Sequence, residues 1–297
     1  MHGILQIGII TFFCHSLYVV FLRHQSMKAG KSMKKRFVSL LVALSITLTF
    51  LPIGAVAATP IRIGNLKYTV NADGESVTVS GTSESTSEKP THLTIESSIS
   101  DGNGKSYTVT KIGYQAFNEW NTLTEVTLPN TVDEIGYQAF FNCSNLTNVT
   151  IPEGVTKIGQ KAFYGCSQLT SITIPSTITD MDTAFSGNTA LSQVTLTNGI
   201  PKISSHAFER CTELREIKVP ISVDEICPFA FNGCTGLTSV TLEKGINIIN
   251  SNAFKDCTEL NDVKYNGYKT DWEKVRVNNA GNDTLTSKVQ YLCDINF

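Results

Sequence analysis

The dipeptide Ala-Phe returns seven times at a nearly constant interval, with its Phe at positions 117, 140, 163, 185, 208, 231 and 254. The steps are 23, 23, 22, 23, 23 and 23 residues. A fixed period of this length marks repeated supersecondary units stacked along one axis. Other apolar positions keep the same phase. Leu stands six residues after every Phe, from Leu123 to Leu260. Val or Ile follows at nine, as in Val126 and Ile172. An apolar residue stands at eleven, as in Leu128 and Ile174, and the last copy has Tyr265 there.

The spacing dictates local structure. Val126-Thr127-Leu128 alternates apolar and polar, which predicts a short strand with one face inward. Pro129, Pro152, Pro175 and Pro220 close that strand and open a turn, where a missing N–H is expected to do little harm. The Ala-Phe stretch is too short for a stable helix and predicts a turn or a single helical turn. One unit cannot cover its own apolar face, so neighbouring units must bury each other's Phe, Leu and Val. The 22-residue step, where Met181-Asp182-Thr183 replaces the usual Ile-Gly stretch, predicts a local irregularity rather than a domain break.

The copy from Val155 through Ala162-Phe163 to Pro175 resembles the BspA-like leucine-rich repeats of bacterial surface and secreted proteins, over about 109–265. The resemblance implies a mainly β, leucine-rich-repeat solenoid of about seven 22–23-residue coils. It also implies a binding role, since some members are adhesins for host matrix proteins or other microbes. No binding residue is carried over from the family. Unlike its anchored members, this sequence shows no wall-sorting tail and no large extra domain.

The flanks read differently. Residues 58–108 are expected to form an N-terminal β cap, with Leu66-Lys67-Tyr68-Thr69-Val70 and Ser76-Val77-Thr78-Val79 around the Asp73-Gly74 turn. Residues 266–297 are expected to form a C-terminal cap in which Trp272 plugs the core. Met33-Lys34-Lys35-Arg36, an apolar run over 37–53 and then Ala55-Val56-Ala57 have the layout of a secretory signal peptide spanning 33–57. An uncleaved membrane anchor is the alternative. Upstream, in residues 1–32, a second apolar stretch over 3–22 is long enough to span a bilayer, or lies beyond a true start at Met27 or Met33.

Charge narrows the partners. Residues 1–57 hold six basic and no acidic residues, leaving 18 basic against 26 acidic and a net charge near −8 over 58–297. So acidic a body repels phosphate backbones, which argues against nucleic acid. Membrane contact is expected only through an uncleaved N-terminal segment.

No catalytic, cofactor or metal site is expected. Cys143, Cys166, Cys211, Cys234 and Cys257 share one repeat position, with Trp120 and Asn188 in the other two copies. Their spacing matches no zinc pattern and favours a column of buried thiols, although a disulfide between neighbouring coils such as Cys143–Cys166 is conceivable. Cys227 and Cys293 fall outside the column. His206 sits at a position that accepts many residue types and reads as a solvated turn.

The remaining candidate is the outward strand face. Its rows are Glu125, Asn148, Ser171, Gln193, Glu216 and Ser239 beside Thr127, Thr150, Thr173, Thr195, Lys218 and Thr241. With strands about 4.8 Å apart, seven coils would present a sheet roughly 30 Å long. Thr is also simply a good solvent-facing strand residue. The leading expectation is an exported module that binds a host or microbial surface protein or glycan through this face. The alternatives are a structural envelope protein without a specific ligand and, less favoured, a hydrolase built around Trp272 and Cys293.

Overall fold

Each Ala-Phe copy closes one coil of a parallel β-solenoid in a computed structural model of the protein, which describes residues 59–82 and 90–294. The expected signal peptide and the apolar stretch 3–22 lie outside the described residues, as do residues 83–89. Among the described residues no helix is long and apolar enough to cross a membrane.

A coil has three sides. The first carries the expected short strands, such as Ser171–Ile174 and Glu216–Val219, with burial alternating exposed, buried, exposed, buried. The second carries two-residue strands, such as Glu134–Ile135 and Lys157–Ile158, aligned in parallel register from coil to coil. Its outward positions alternate in sign along the stack. Glu134 lies between Lys111 at 2.7 Å and Lys157 at 3.0 Å, and Lys202 faces Asp180 at 3.8 Å. The hydrogen bond from Lys111, and more weakly that from Lys157, holds the Glu134 carboxyl below the ordinary range. A one-coil slip would set like charges against each other, so this ladder favours a single register.

The third side is the Ala-Phe turn. The seven Phe rings are buried and stack on one another, with centroids from 5.1 Å between Phe140 and Phe163 to 5.7 Å between Phe185 and Phe208. The turn is not helical. The residue two before each Phe has positive φ, including Thr183 at 56° and Phe229 at 60°. The residue two after it does the same, and in three coils that residue is Gly165, Gly187 or Gly233. Flipping every second peptide aims the N–H groups along the axis: Gln138, Phe140 and Asn142 donate to the carbonyls of Gln160, Ala162 and Tyr164 of the next coil. The turns therefore form a third hydrogen-bonded wall.

The 22-residue step does not interrupt the stack, since Phe163 and Phe185 lie 5.4 Å apart and nearly parallel. The missing residue is absorbed on the second side, where an isolated bridge, Lys157 to Asp180, replaces a regular strand pair.

At the N-terminal end, Leu66–Val70 pairs antiparallel with Ser76–Thr82 across a turn in which Asp73 Oδ1 accepts from the Glu75 and Ser76 amides. Ser76–Thr82 then runs parallel to Ser106–Ile112 and joins the second side. At the other end the Tyr265 ring packs edge-on against Trp272 at 5.3 Å. Val289–Tyr291 adds one more parallel strand beside Asp262–Asn266. Between these elements sits Asn282, fully buried. Its Oδ1 accepts from the Phe254 amide at 3.0 Å, and its Nδ2 donates to the carbonyls of Asn250 and Asn278. This side chain stands where the next coil would have stood.

Candidate functional site

All twelve predicted face residues point away from the core. Glu125, Thr127, Asn148, Thr150, Ser171, Thr173, Gln193, Thr195, Glu216 and Lys218 are exposed, and Ser239 and Thr241 are half-buried. Parallel register lines them up: Ser171 sits beside Gln193, Thr173 beside Thr195, Glu216 beside Ser239 and Lys218 beside Thr241.

The face is not the single sheet that the repeat predicts. It falls into three segments, with no strand pairing between Asn148–Val149 and Ser171–Ile174, or between Gln193–Leu196 and Glu216–Val219. Both breaks fall at a strand closed by proline. In a fully paired step, the residue closing the incoming strand donates its N–H back to the previous coil, as Thr197 does to the Ile174 carbonyl at 3.1 Å. Pro175 and Pro220 occupy that position at the two breaks and have no N–H to give. At Pro152 the pairing shrinks to two residues. Where Thr197, Glu243 or Asn266 stands instead, four or five residues pair. Pro129 and Pro152 close strands that stay paired with the previous coil, whereas both seams of the sheet fall at Pro175 and Pro220.

A shallow crevice opens at each seam. The first, about 580 Å3, has Val194, Leu196, Ile217 and Pro220 beneath Thr195, Asn198, Glu216, Lys218, Ser239 and Thr241. The second, about 420 Å3, has Val149, Ile151, Pro152 and Ile172 with Asn130, Asn148, Thr150, Glu153, Ser171 and Thr173. Lys218 Nζ stands 3.8 Å from Glu243, and Ser239 donates to Asp262 at 3.0 Å.

The cysteine column is buried and forms no disulfides. Each thiol donates to the carbonyl of the preceding coil's Phe, as Cys166 does to Phe140 at 3.2 Å and Cys234 to Phe208 at 3.1 Å. Burial pushes the Cys166, Cys211, Cys234 and Cys257 thiols up, Cys257 to about 12, which leaves these four protonated at neutral pH. Cys227 is also buried and pushed up to about 11, and Cys293 is exposed. Among the described residues no three His, Cys, Asp or Glu side chains are arranged to hold a metal ion.

Asn188 breaks the column. It is fully buried, and neither its Nδ2 nor its Oδ1 has a hydrogen-bond partner. Asn188→Cys restores the thiol-to-Phe163 carbonyl bond and removes two orphaned polar atoms, for a gain of about 1–2 kcal/mol in unfolding free energy. A denaturant midpoint that stays put or falls in this variant would contradict the assignment.

His206 is more constrained than the sequence implies. Its ring stacks on Phe229 at 4.8 Å, and Nδ1 lies 2.8 Å from Glu209. Among the described residues no Ser, Thr or Cys side chain hydrogen-bonds to it. The backbone at this repeat position is left-handed in every coil.

The model of the BspA type leucine rich repeat region matches residues 97–184 and 181–273, in six copies. None of the curated proteins matches. Among solved structures, the leucine rich repeat protein of T. pallidum is 24% identical, covers 76% of this chain and 95% of its own, and superposes with a TM-score of 0.60. That likeness concerns the fold. A leucine-rich repeat protein from Bacteroides capillosus is 35% identical over 47% of this chain and 99% of its own, with a TM-score of 0.43. A leucine rich cell surface protein from Faecalibacterium prausnitzii is 20% identical over 73% of this chain and 97% of its own, with a TM-score of 0.38. With its period, its stacked Phe column and the family match over more than half of its length, the chain belongs to the BspA type leucine-rich repeat family.

Proposed function

We propose that this protein is an exported binding module that engages a surface protein or glycan through the first side of its solenoid. The observation that carries this reading is the ordered face itself. Twelve polar side chains point outward from the stacked coils, in register within each sheet segment, and two crevices interrupt them. Binding sites are concave patches where a few polar groups are set against apolar floor, and the crevices have that makeup. The basic head, apolar run and Ala-Val-Ala ending of residues 33–57 support export.

Replacing Thr150, Thr173 and Thr195 together with Asp puts three negative charges on the exposed face without touching the core. Adherence of the folded variant to matrix proteins or to cells should fall at least tenfold. Adherence equal to that of the parent protein would remove this face from consideration.

A further inference from the structure

The seams point to a more specific ligand chemistry, resting on the reading that the strand face binds. In the crevice at Pro220, three hydroxyls and an amide, from Thr195, Ser239, Thr241 and Asn198, surround a floor of Val194, Ile217 and Pro220. One carboxylate, Glu216, and one ammonium, Lys218, complete the lining, so its formal charge is zero. The residues come from three successive coils, and the volume of about 580 Å3 suits a ligand of two or three sugar rings.

We propose that this crevice is a subsite for a neutral glycan, and that Pro220 creates it by withholding one N–H from the ladder. A pyranose ring has an apolar C–H face and a rim of hydroxyls that both donate and accept. The Pro220 and Ile217 floor matches the first and the Thr, Ser and Asn rim matches the second. The zero-charge lining, on a body with excess carboxylates, disfavours sulfated or sialylated chains. A protein partner would need a pocket for an aromatic or Arg anchor, and this crevice is shallow and free of aromatic rings. An added peptide strand would need an open sheet edge, and here the unpaired strands Gln193–Leu196 and Glu216–Val219 lie against each other across the seam. The second crevice, at the Pro175 seam, repeats the chemistry with Asn148, Thr150, Ser171 and Thr173 but lacks a basic residue.

The test uses Pro220→Thr, which copies Thr197 of the neighbouring coil and therefore suits the fold. It restores the missing donor, extends the strand pairing and closes the crevice. The purified full chain is applied to an array of neutral and acidic glycans. The expected result is selective binding to neutral structures, weakened at least tenfold by P220T, with a slowly exchanging amide at the new Thr showing that the seam has closed. A blank array, binding only to acidic glycans, or parental binding by P220T would each overturn the proposal. If the array fails while the triple Asp variant still abolishes adherence to a matrix protein, the binding face stands and the glycan subsite does not.

Discussion

Replacing Phe163 with alanine should lower the unfolding free energy by about 3–5 kcal/mol. Phe163 is fully buried and lies in the middle of the stack, 5.1 Å from Phe140 and 5.4 Å from Phe185, nearly parallel to both. Truncation removes a large apolar side chain and strips one face of contact from each neighbouring ring. The cavity has no easy way to collapse. The backbone at Phe163 is fixed on both sides, donating to Ala184 while Ala162 accepts from Phe140, and the first side of the coil is paired with the following coil. In a repeat stack, stability is close to a sum of coil and interface contributions. A central defect weakens two interfaces, whereas a terminal one weakens a single interface. The same change at Phe254, beside the C-terminal elements, gives the comparison. Equal midpoints for wild type and Phe163→Ala in urea would mean that the Phe column does not organise the fold.

The stack was readable in the sequence because burial on a repeating axis leaves a periodic trace. Every Phe, Leu and Val at the expected phases is buried except Val194, which borders the Pro220 seam and is half-exposed. The outward orientation of the Thr row followed from strand alternation alone. The seams did not. A proline at the end of a strand looks harmless when one coil is considered, because its effect falls on the donor that the previous coil needs. Only comparison across coils, Thr197 and Glu243 against Pro175 and Pro220, exposes it. The left-handed residues were hidden for a different reason. Glycine fills the position after the Phe in three coils, but Gln115, Lys161, Thr183 and Phe229 hold the other without a compositional sign. Tertiary hydrogen bonds between turns impose that backbone against local preference.

The two deeply buried asparagines make opposite demands on the fold, and the second yields the other large prediction. Asn188 is a polar group without partners, and its replacement should stabilise the chain. Asn282 is the reverse case. It lies in the segment 278–284, where polarity alone suggests a loop, yet it is fully buried with all its bonds made. Alternate turn N–H groups of the solenoid donate to the following coil, so the last coil is left with donors pointing out of the stack. Asn252 finds the Ala280 carbonyl at 2.6 Å, and Phe254 finds Asn282 Oδ1 at 3.0 Å. Asn282→Ala orphans the Phe254 amide and the Asn278 carbonyl in one step, and leaves the Asn250 carbonyl with only the Ala253 N–H. At roughly 1–3 kcal/mol for each buried group left unpaired, partly relieved by local opening, the expected loss is on the order of 2–4 kcal/mol. Asn282→Asp keeps the acceptor for Phe254 but loses the donor and buries a charge, so it should rescue nothing. The loss should be polarised along the axis, with amide exchange accelerating around Phe254 and Phe231 before Phe140. Uniform acceleration across all coils would mean that Asn282 stabilises the chain in some other way than by terminating its turn ladder.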